Sequence, residues 1–259
     1  MTVFRGPSEQ KLNMKDIQSE LDHRRINIKK VGVKTISYPI TVLDKAKTRQ
    51  HTVATVNMYV NLPHRFKGTH MSRFIEILNR FHGQIDLGSF HHILEEMKER
   101  LEAEAAHIEM AFTYFLPRKP DSGLLNACRY ECRMHGSLGH SDDLEFQFIV
   151  PVSLPLKEMA VSGLPRSLGH WGHAVVAVRF RHFVWIEDII TLVEQAIEQV
   201  IGQEQEQSSL ELQGSLSVES LTRHVGDRLA DLSALKWFSV TVENLFEGYS
   251  TSATTSYSS

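Results

Sequence analysis

The stretches that decide the fold are Thr55-Val-Asn-Met-Tyr-Val-Asn-Leu-Pro63 and, after a short connection, Ser72-Arg-Phe-Ile-Glu-Ile-Leu-Asn-Arg-Phe81. In the first stretch, apolar residues occupy every second position, which predicts a β-strand with one buried face that ends at Pro63. In the second, apolar residues recur at helical spacing after Ser72, a residue type favoured at helix N-caps. A strand followed by an amphipathic helix is typical of an α+β protein.

The same order of elements occurs in both halves of the chain, which predicts two similar α+β modules. The first half has predicted strands at 31–42, 50–62, 109–116 and 127–138, with helices from Ser72 and Ser89. The second half has predicted strands at 144–152, 174–184 and 238–242, with helices from Trp185 and Ser217. Small antiparallel sheets leave unpaired edges, and closing several sheets into a ring removes them. We therefore expect an oligomer.

Composition shifts give the expected boundaries. We expect an N-terminal extension at 1–15, a first module at 16–140 and a second module at 141–248. The Ser- and Thr-rich segment 249–259 has no apolar periodicity, so it is predicted to be disordered. The Gln- and Glu-rich run 203–209 is predicted to be a flexible surface link.

Charge and hydropathy exclude some classes of function. The chain has 259 residues and a formal net charge of -3, so a surface that binds nucleic acid throughout is not expected. No window approaches the length of a membrane span, and the N-terminus does not resemble a secretory signal. We expect a cytoplasmic protein with neither a nucleic acid nor a membrane as a partner.

Cys128 and Cys132, the two cysteines of the chain, lie in a segment where apolar and polar residues alternate. They are therefore expected on one face of a strand, about 13 Å apart at the rise of a β-strand. That distance is too long for a disulfide or for two ligands of one zinc ion. We interpret them as buried residues in a reducing compartment, with a reactive thiol as the alternative.

The segment Lys67-Gly-Thr-His-Met-Ser-Arg-Phe74 joins a predicted strand to a helix N-terminus. Backbone N–H groups, the positive end of the helix dipole and the side chains of Lys67, His70 and Arg73 can converge there on a phosphate. The alternative is an ordinary turn with solvated cations.

Histidines and carboxylates supply the other candidates. His170 and His173 precede or begin a strand and are either metal ligands or ordinary loop residues. Glu219 follows Ser217 at a helix start, where a carboxylate either favours the helix dipole or accepts two N–H donors from a guanine edge. Glu187 and Asp188 have the same helix-dipole explanation.

Several segments together resemble the type IB GTP cyclohydrolases. The similarity is nearly continuous from about 16 to 116 and includes the eight residues from Lys67 to Phe74. It resumes in the segments Ile149-Val-Pro-Val152, Phe183-Val-Trp-Ile-Glu-Asp-Ile189, Ser217-Val-Glu-Ser-Leu221 and Glu243-Asn244. The resemblance implies the tunnelling fold (T-fold): two β-β-α-α-β-β modules per chain, antiparallel sheets with helices on one face, and subunits assembled around a barrel.

The resemblance also implies a reaction and a site. GTP is hydrolysed at its imidazole ring, C8 leaves as formate, and 7,8-dihydroneopterin triphosphate forms for folate or related pterins. Glu219 matches the guanine-binding carboxylate, and Lys67, His70 and Arg73 are the expected triphosphate-binding residues. His170 and Glu247 are the catalytic candidates, and with Glu204 they are the expected ligands of a divalent metal, zinc or manganese. The expected partners are GTP and further copies of the chain, as a tetramer.

The match departs from the family pattern where a metal-binding thiolate is expected, because the chain has no cysteine in Val152-Ser-Leu-Pro-Leu-Lys-Glu-Met159. Glu211 is an alternative to Glu204. This departure keeps a second hypothesis open: a catalytically inactive T-fold paralogue that binds a purine or pterin, or assembles with an active relative. A third hypothesis is an enzyme of the same fold acting on another purine-like substrate.

Overall fold

The computed structural model describes residues 28–45, 49–63, 70–81, 84–85, 87–117, 127–140, 142–154, 169–208, 216–246 and 248–258. In the first half of the chain the elements are β1 (Ile28–Leu43), β2 (Arg49–Leu62), α1 (Ser72–Arg80), β3 (Gln84–Ile85), α2 (Leu87–Arg100), β4 (Ala105–Pro117) and β5 (Ala127–Leu138). In the second half they are β6 (Asp142–Leu154), β7 (Gly169–Phe180), α3 (Ile186–Ser208), α4 (Val218–Ala230), β8 (Leu235–Phe246) and β9 (Tyr249–Ser258).

The described strands form a single sheet in the order β3-β1-β2-β4-β5-β6-β7-β8-β9. All neighbouring strands are antiparallel except β1 and the two-residue β3, which are parallel. The sheet therefore has β9 at one edge and most of β1 exposed at the other. These elements confirm the α+β class and the antiparallel sheet expected from the sequence.

Alternation along the strands gives the sheet two different faces. Val56, Met110, Met134 and Phe146 are paired across four neighbouring strands, and all are buried. Apolar residues at such positions pack against the helices, and their burial is the main stabilising contribution. The opposite face, which we call the open face, carries polar and charged side chains such as Arg133 and Gln147, with apolar residues such as Val53 among them.

The helices lie on the buried face. A Cβ atom added at Gly136 of β5 would lie 2.4 Å from the Phe90 ring of α2, so a glycine there lets the helix approach the sheet closely. On α4, the Thr222 hydroxyl donates to the carbonyl of Ala253 in β9 at 3.2 Å. Helix α3 is held against the sheet by two of its carboxylates, Glu187 and Glu194.

Two buried tyrosines anchor α3 to the sheet. Tyr114 and Tyr130 are paired across β4 and β5, and each is 1% exposed. The Tyr114 hydroxyl donates to Glu187 at 2.6 Å, and the Tyr130 hydroxyl donates to Glu194. Burial, together with these carboxylates, raises the pKa of both tyrosines, so both remain neutral donors. Buried hydroxyl groups that are paired in this way fix the position of α3 on the sheet.

The β1–β2 turn is tied to the same helix. The backbone N–H of Lys45 donates to Glu187 at 2.8 Å, and the Lys45 ammonium group lies 2.6 Å from Asp188. Glu187 and Asp188 are in the first turn of α3, as predicted. Their contacts with β4 and with the β1–β2 turn join the two halves of the chain.

Two expectations about flexible segments were wrong. The segment predicted to be a disordered tail forms β9, which pairs with β8 from Phe246 to Trp237. Ser and Thr side chains are compatible with an edge strand, where the backbone ladder supplies the hydrogen bonds. The run predicted to be a flexible link continues α3 as far as Ser208. Gln and Glu have good helix propensity, so a polar run can extend a helix that is already formed.

Among the described residues, we find no helix with the length and apolar character that crossing a membrane requires.

The close approach of β7 and β8 gives a stability prediction. A Cβ atom at Gly172 would lie 1.9 Å from the Glu243 carbonyl oxygen, whereas one at Gly202 of α3 would meet nothing within 4 Å. Gly172→Ala should destabilise the protein by about 1–3 kcal/mol or more through backbone displacement. Gly202→Ala, the control, should stabilise it by up to about 1 kcal/mol through helix propensity. Urea unfolding measures both, and a neutral Gly172→Ala would contradict the observed packing.

Candidate active site

The sheet register defines two ends of the molecule. At one end, which we call the hairpin end, Leu43 pairs with Arg49 across the β1–β2 turn. At the other, which we call the far end, Ile28 pairs with Leu62. Because neighbouring strands are antiparallel, β7 begins and β8 finishes at the hairpin end. Each candidate residue can therefore be assigned to the hairpin end or to the far end.

Glu219 lies in the first turn of α4, at the hairpin end. The helix begins after Ser217, whose hydroxyl accepts a hydrogen bond from the Ser220 N–H at 3.0 Å. One turn further along, Thr222 contacts Ala253 of β9, which pairs with Val242 near the end of β8. This confirms the helix start predicted at Ser217.

The Glu219 side chain borders a groove between α4 and β9. The groove has a volume of about 390 Å³, and its walls include Arg223 and Asp227 of α4 and the backbone of β9 from Ala253 to Tyr257. Glu219 is exposed, and no hydrogen bond from another described residue reaches its carboxylate. Since Ser217 already caps the helix, Glu219 is available to a ligand with N–H donors.

His170 is the second residue of β7 and lies at the same end. It pairs with Ser153 of β6, and Gly172 pairs with Asn244 of β8. The pairing of β7 with β8 begins at Gly172, and the β6–β7 register shifts between Gly172 and His170. Strand β8 finishes at Phe246, the residue before Glu247, at this same end. Glu247 itself and the side chain of His170 lie outside what the structure describes.

A buried amide fixes the start of β7 against β8. Asn244 is 5% exposed, and its side-chain NH₂ donates to the carbonyl of Trp171 at 2.9 Å. On the open face, His173 Nε2 lies 3.3 Å from the carboxylate of Glu243, which pairs with it across the two strands. Both His173 and Glu243 were noted in the sequence, but their contact could not be predicted, because it arises from the register of β7 and β8.

The phosphate-binding candidates lie at the far end. His70 precedes α1, and its carbonyl accepts the Arg73 N–H at 3.1 Å. The Arg73 guanidinium reaches the carbonyl of Arg100, which ends α2, at 3.5 Å. Lys67 lies outside the described residues. Glu204 is in α3, but its side chain is also not described.

Within one chain, Arg73 and Glu219 do not meet. Arg73 lies near the start of β4, at the far end. Following the paired residues from β9 across the sheet to β4 shows that Glu219 lies closer to the hairpin end than Tyr114 does. Nine residues of strand separate the two levels, which is about 30 Å at the rise of a β-strand. A single nucleoside triphosphate cannot span this separation. The candidates at the far end are therefore not part of the same intrachain site as Glu219.

The described residues test the metal ligands expected for the site. They contain no group of three or more His, Cys, Asp or Glu side chains arranged to hold a metal ion. The two thiols are on β5, as predicted, with Cys132 buried. Burial raises the pKa of Cys132 to about 12, so it is a neutral thiol near pH 7. The segment 152–159, where the resemblance implies a thiolate, contains no cysteine. Cys128 lies near the hairpin end of β5 and is half-buried, but it belongs to no metal-binding group among the described side chains.

A model of the family described as type I GTP cyclohydrolase folE2 matches residues 14–247. This chain belongs to that family. The GTP cyclohydrolase FolE2 of Syntrophus aciditrophicus is 45% identical over 243 residues, which cover 89% of this chain and 94% of the relative. That of Pelobacter propionicus is 44% identical over 247 residues, covering 89% and 93%. The family expected from the sequence motifs is confirmed.

Solved structures show the same fold at very low sequence identity. The uricase from Arthrobacter globiformis has a TM-score of 0.57 and 7% identity, with coverage of 89% of this chain and 93% of the uricase. Urate oxidase from Bacillus sp. TB-90 has a TM-score of 0.55 and 10% identity, with coverage of 90% and 100%. These similarities concern the fold alone.

Proposed function

We propose that this FolE2 family member hydrolyses GTP to formate and 7,8-dihydroneopterin triphosphate, for the biosynthesis of folate or related pterins. Family membership over nearly the whole chain carries the proposal. The structure supports it with one observation: the register brings the start of β7, the end of β8 and the first turn of α4 to one end of the sheet. The net reaction consumes one water and removes C8 of the base as formate.

Glu219 is the proposed guanine-binding residue. An ionised carboxylate has two acceptor oxygens, and the guanine edge presents N1–H and the 2-amino group side by side. The start of α4 is fixed by the Ser217 cap and by the contact of Thr222 with β9. These contacts fix the backbone of the first turn of α4, and the exposed Glu219 carboxylate extends from that turn toward the groove.

His170, Glu204 and Glu247 are the proposed ligands of a divalent metal ion, zinc or manganese. Imidazole and carboxylate groups bind both ions, and manganese requires no thiolate. Such an ion lowers the pKa of a bound water so that it becomes a nucleophile near pH 7. The protein's own contribution is the pairing of β7 with β8. It brings the start of β7, which contains His170, and the end of β8, which precedes Glu247, to the hairpin end. His170 and Glu247 are accordingly the proposed catalytic residues.

Lys67, His70 and Arg73 are the proposed triphosphate-binding residues, supplied by a second copy of the chain. The separation of Arg73 from Glu219 within one chain supports this arrangement. In the described sheet, β9 and the part of β1 not covered by β3 form the two edges. Their backbone N–H and C=O groups are available for association between copies of the chain. We propose a homo-oligomer, specifically a tetramer, in which each chain has two modules divided near 140–141 and β9 completes the second.

The missing thiolate favours a second candidate function. A chain that retains Glu219 but lacks a cysteine ligand can bind a purine or pterin without hydrolysing it, or can assemble with an active relative. Loss of a metal ligand affects hydrolysis far more than nucleotide binding, because the metal supplies the nucleophile.

Formate release separates the two functions. The purified chain with GTP and added manganese or zinc should release formate above a blank that contains metal and GTP alone. The matched control is the chain with GTP and a chelator. GTP binding without formate release would favour the inactive binding protein, and absence of both would contradict either function.

Glu219→Gln should reduce guanine-nucleotide affinity at least about tenfold. The substitution leaves one acceptor where guanine needs two, and a charged hydrogen bond contributes about 1.5–3 kcal/mol. Isothermal titration with GTP measures the effect. The control is Glu198→Gln, another exposed helical glutamate, which should bind GTP as the original chain does. Equal affinity of the Glu219→Gln protein would contradict the assignment.

A further inference from the structure

Irregularities in β1 bring two lysines over one buried tyrosine. The register of β1 with β2 shifts on both sides of the segment 31–33, and Lys30 and Lys34 flank that segment. The Lys30 ammonium nitrogen lies 3.8 Å from the centre of the Tyr59 ring, and that of Lys34 lies 5.5 Å from it. Bulges redirect side chains and are over-represented near functional sites.

The second irregularity is held in a strained conformation. Thr35 has a φ of 56°, which is uncommon for a β-branched residue. Its backbone N–H donates to the side-chain oxygen of Asn57 at 2.8 Å, and the Asn57 NH₂ donates to Glu109 at 3.0 Å. Such strain persists only where the surrounding structure enforces it, and it concentrates at functional sites. Here it fixes the backbone next to Lys34.

Within the described parts of the chain, no carboxylate is close enough to pair with either ammonium group. Among the residues that the structure describes, neither lysine forms a salt bridge. Their observed partner is the ring of Tyr59, which is 5% exposed. Attraction of each cation to the ring face is favourable by about 0.5–1 kcal/mol at exposed sites, whereas two like charges over one ring repel each other. An anion between them would remove that repulsion.

Histidines extend this cationic group across the open face. Tyr59 pairs with His107 of β4, which is half-buried. Burial, with smaller contributions from His135 and Lys30, lowers the pKa of His107, while Glu109 acts in the opposite direction. His107 therefore favours its neutral form until an anion arrives.

We propose that Lys30, Lys34 and His107 form a site on the open face that binds a phosphate group. Lysine binds phosphate as a flexible point charge. The two ammonium groups lie near Tyr59, and His107 pairs with Tyr59 on the neighbouring strand, so all three groups can donate to one multiply charged oxyanion. The lysines cover the outer face of the Tyr59 ring, so no base can stack there, and the site recognises phosphate alone. The proposal does not rest on GTP hydrolysis, because Glu219 is on a helix that packs against the opposite face.

Titration with inorganic pyrophosphate tests this site in the full-length protein. The original chain should bind pyrophosphate, and the double variant Lys30→Gln with Lys34→Gln should lose at least about tenfold in affinity, because two charged contacts are removed. The control is Lys98→Gln with Lys236→Gln. It removes the same charge from lysines that contact the Gly139 carbonyl at 3.1 Å and Asp143 at 3.6 Å, and it should bind normally.

A second measurement tests His107. An anion beside the imidazole stabilises its protonated form, so binding should raise the pKa of His107 from its lowered value. The histidine should then take up a proton at pH values between the pKa of the free protein and that of the complex. Isothermal titration calorimetry in buffers of different ionisation enthalpy measures the number of protons taken up on binding. Pyrophosphate also exchanges protons on binding, so the share of His107 is the difference between the original chain and His107→Gln. The variant should bind more weakly and take up fewer protons. The other titratable groups that face His107 are Lys30, His135 and Glu109, and they are unchanged in that variant.

Each result of these experiments either supports or overturns the proposed phosphate site. Absence of pyrophosphate binding, or equal binding by the Lys30→Gln and Lys34→Gln protein, would overturn the proposal. So would a change of sedimentation in that variant with binding unchanged, since the lysines would then belong to a contact between chains. Competition by GTP in a Glu219→Gln background would support the site and identify nucleotide phosphates as its source, whereas binding of pyrophosphate alone would support a free phosphate.

Discussion

The antiparallel register of β6, β7 and β8 is the constraint on which the candidate site depends. It places Gly172 against Asn244, with so close a backbone approach that no side chain fits at position 172. The Asn244 side chain then holds the Trp171 carbonyl. A slip of one residue would turn every side chain of β7 to the other face, and His170 would no longer lie beside the end of β8. The geometry of the hairpin end therefore follows from one backbone contact.

The two faces of the sheet have different roles. The apolar face buries the helices, and the tyrosine–carboxylate pairs on α3 fix that helix with directional bonds that apolar packing alone does not supply. The hydrogen bond from the Lys45 N–H to Glu187 holds the β1–β2 turn against the same helix. The two halves of the chain are thereby packed together. The open face is left polar and carries the charged groups of β1, β4 and β7, where ligands or further copies of the chain can bind.

Local patterns predicted most of the fold. The alternation in β2 and the helical stripe after Ser72 are strong short-range signals, and the Ser217 cap was predicted to the residue. The expectation of a cap at Ser72 was wrong, because Met71 is the N-cap of α1 and makes no side-chain capping bond. The polar strand β9 was missed because its stability comes from pairing with β8 and not from its own side chains. The family motifs predicted Glu219 and Arg73 as parts of one site. Sequence spacing could not show that they lie at opposite ends of one chain, since that separation arises from the register of seven strands.

A mixing experiment tests most directly whether two chains complete each site. Arg73→Ala and Glu219→Gln should each bind GTP poorly as pure oligomers. When the two variants are dissociated and reassembled together, about a quarter of the sites should receive both native residues by random assortment in a symmetric oligomer, and GTP binding should return to that extent. Absence of any recovery, with mixed oligomers demonstrated by a tag on one variant, would contradict a site shared between chains.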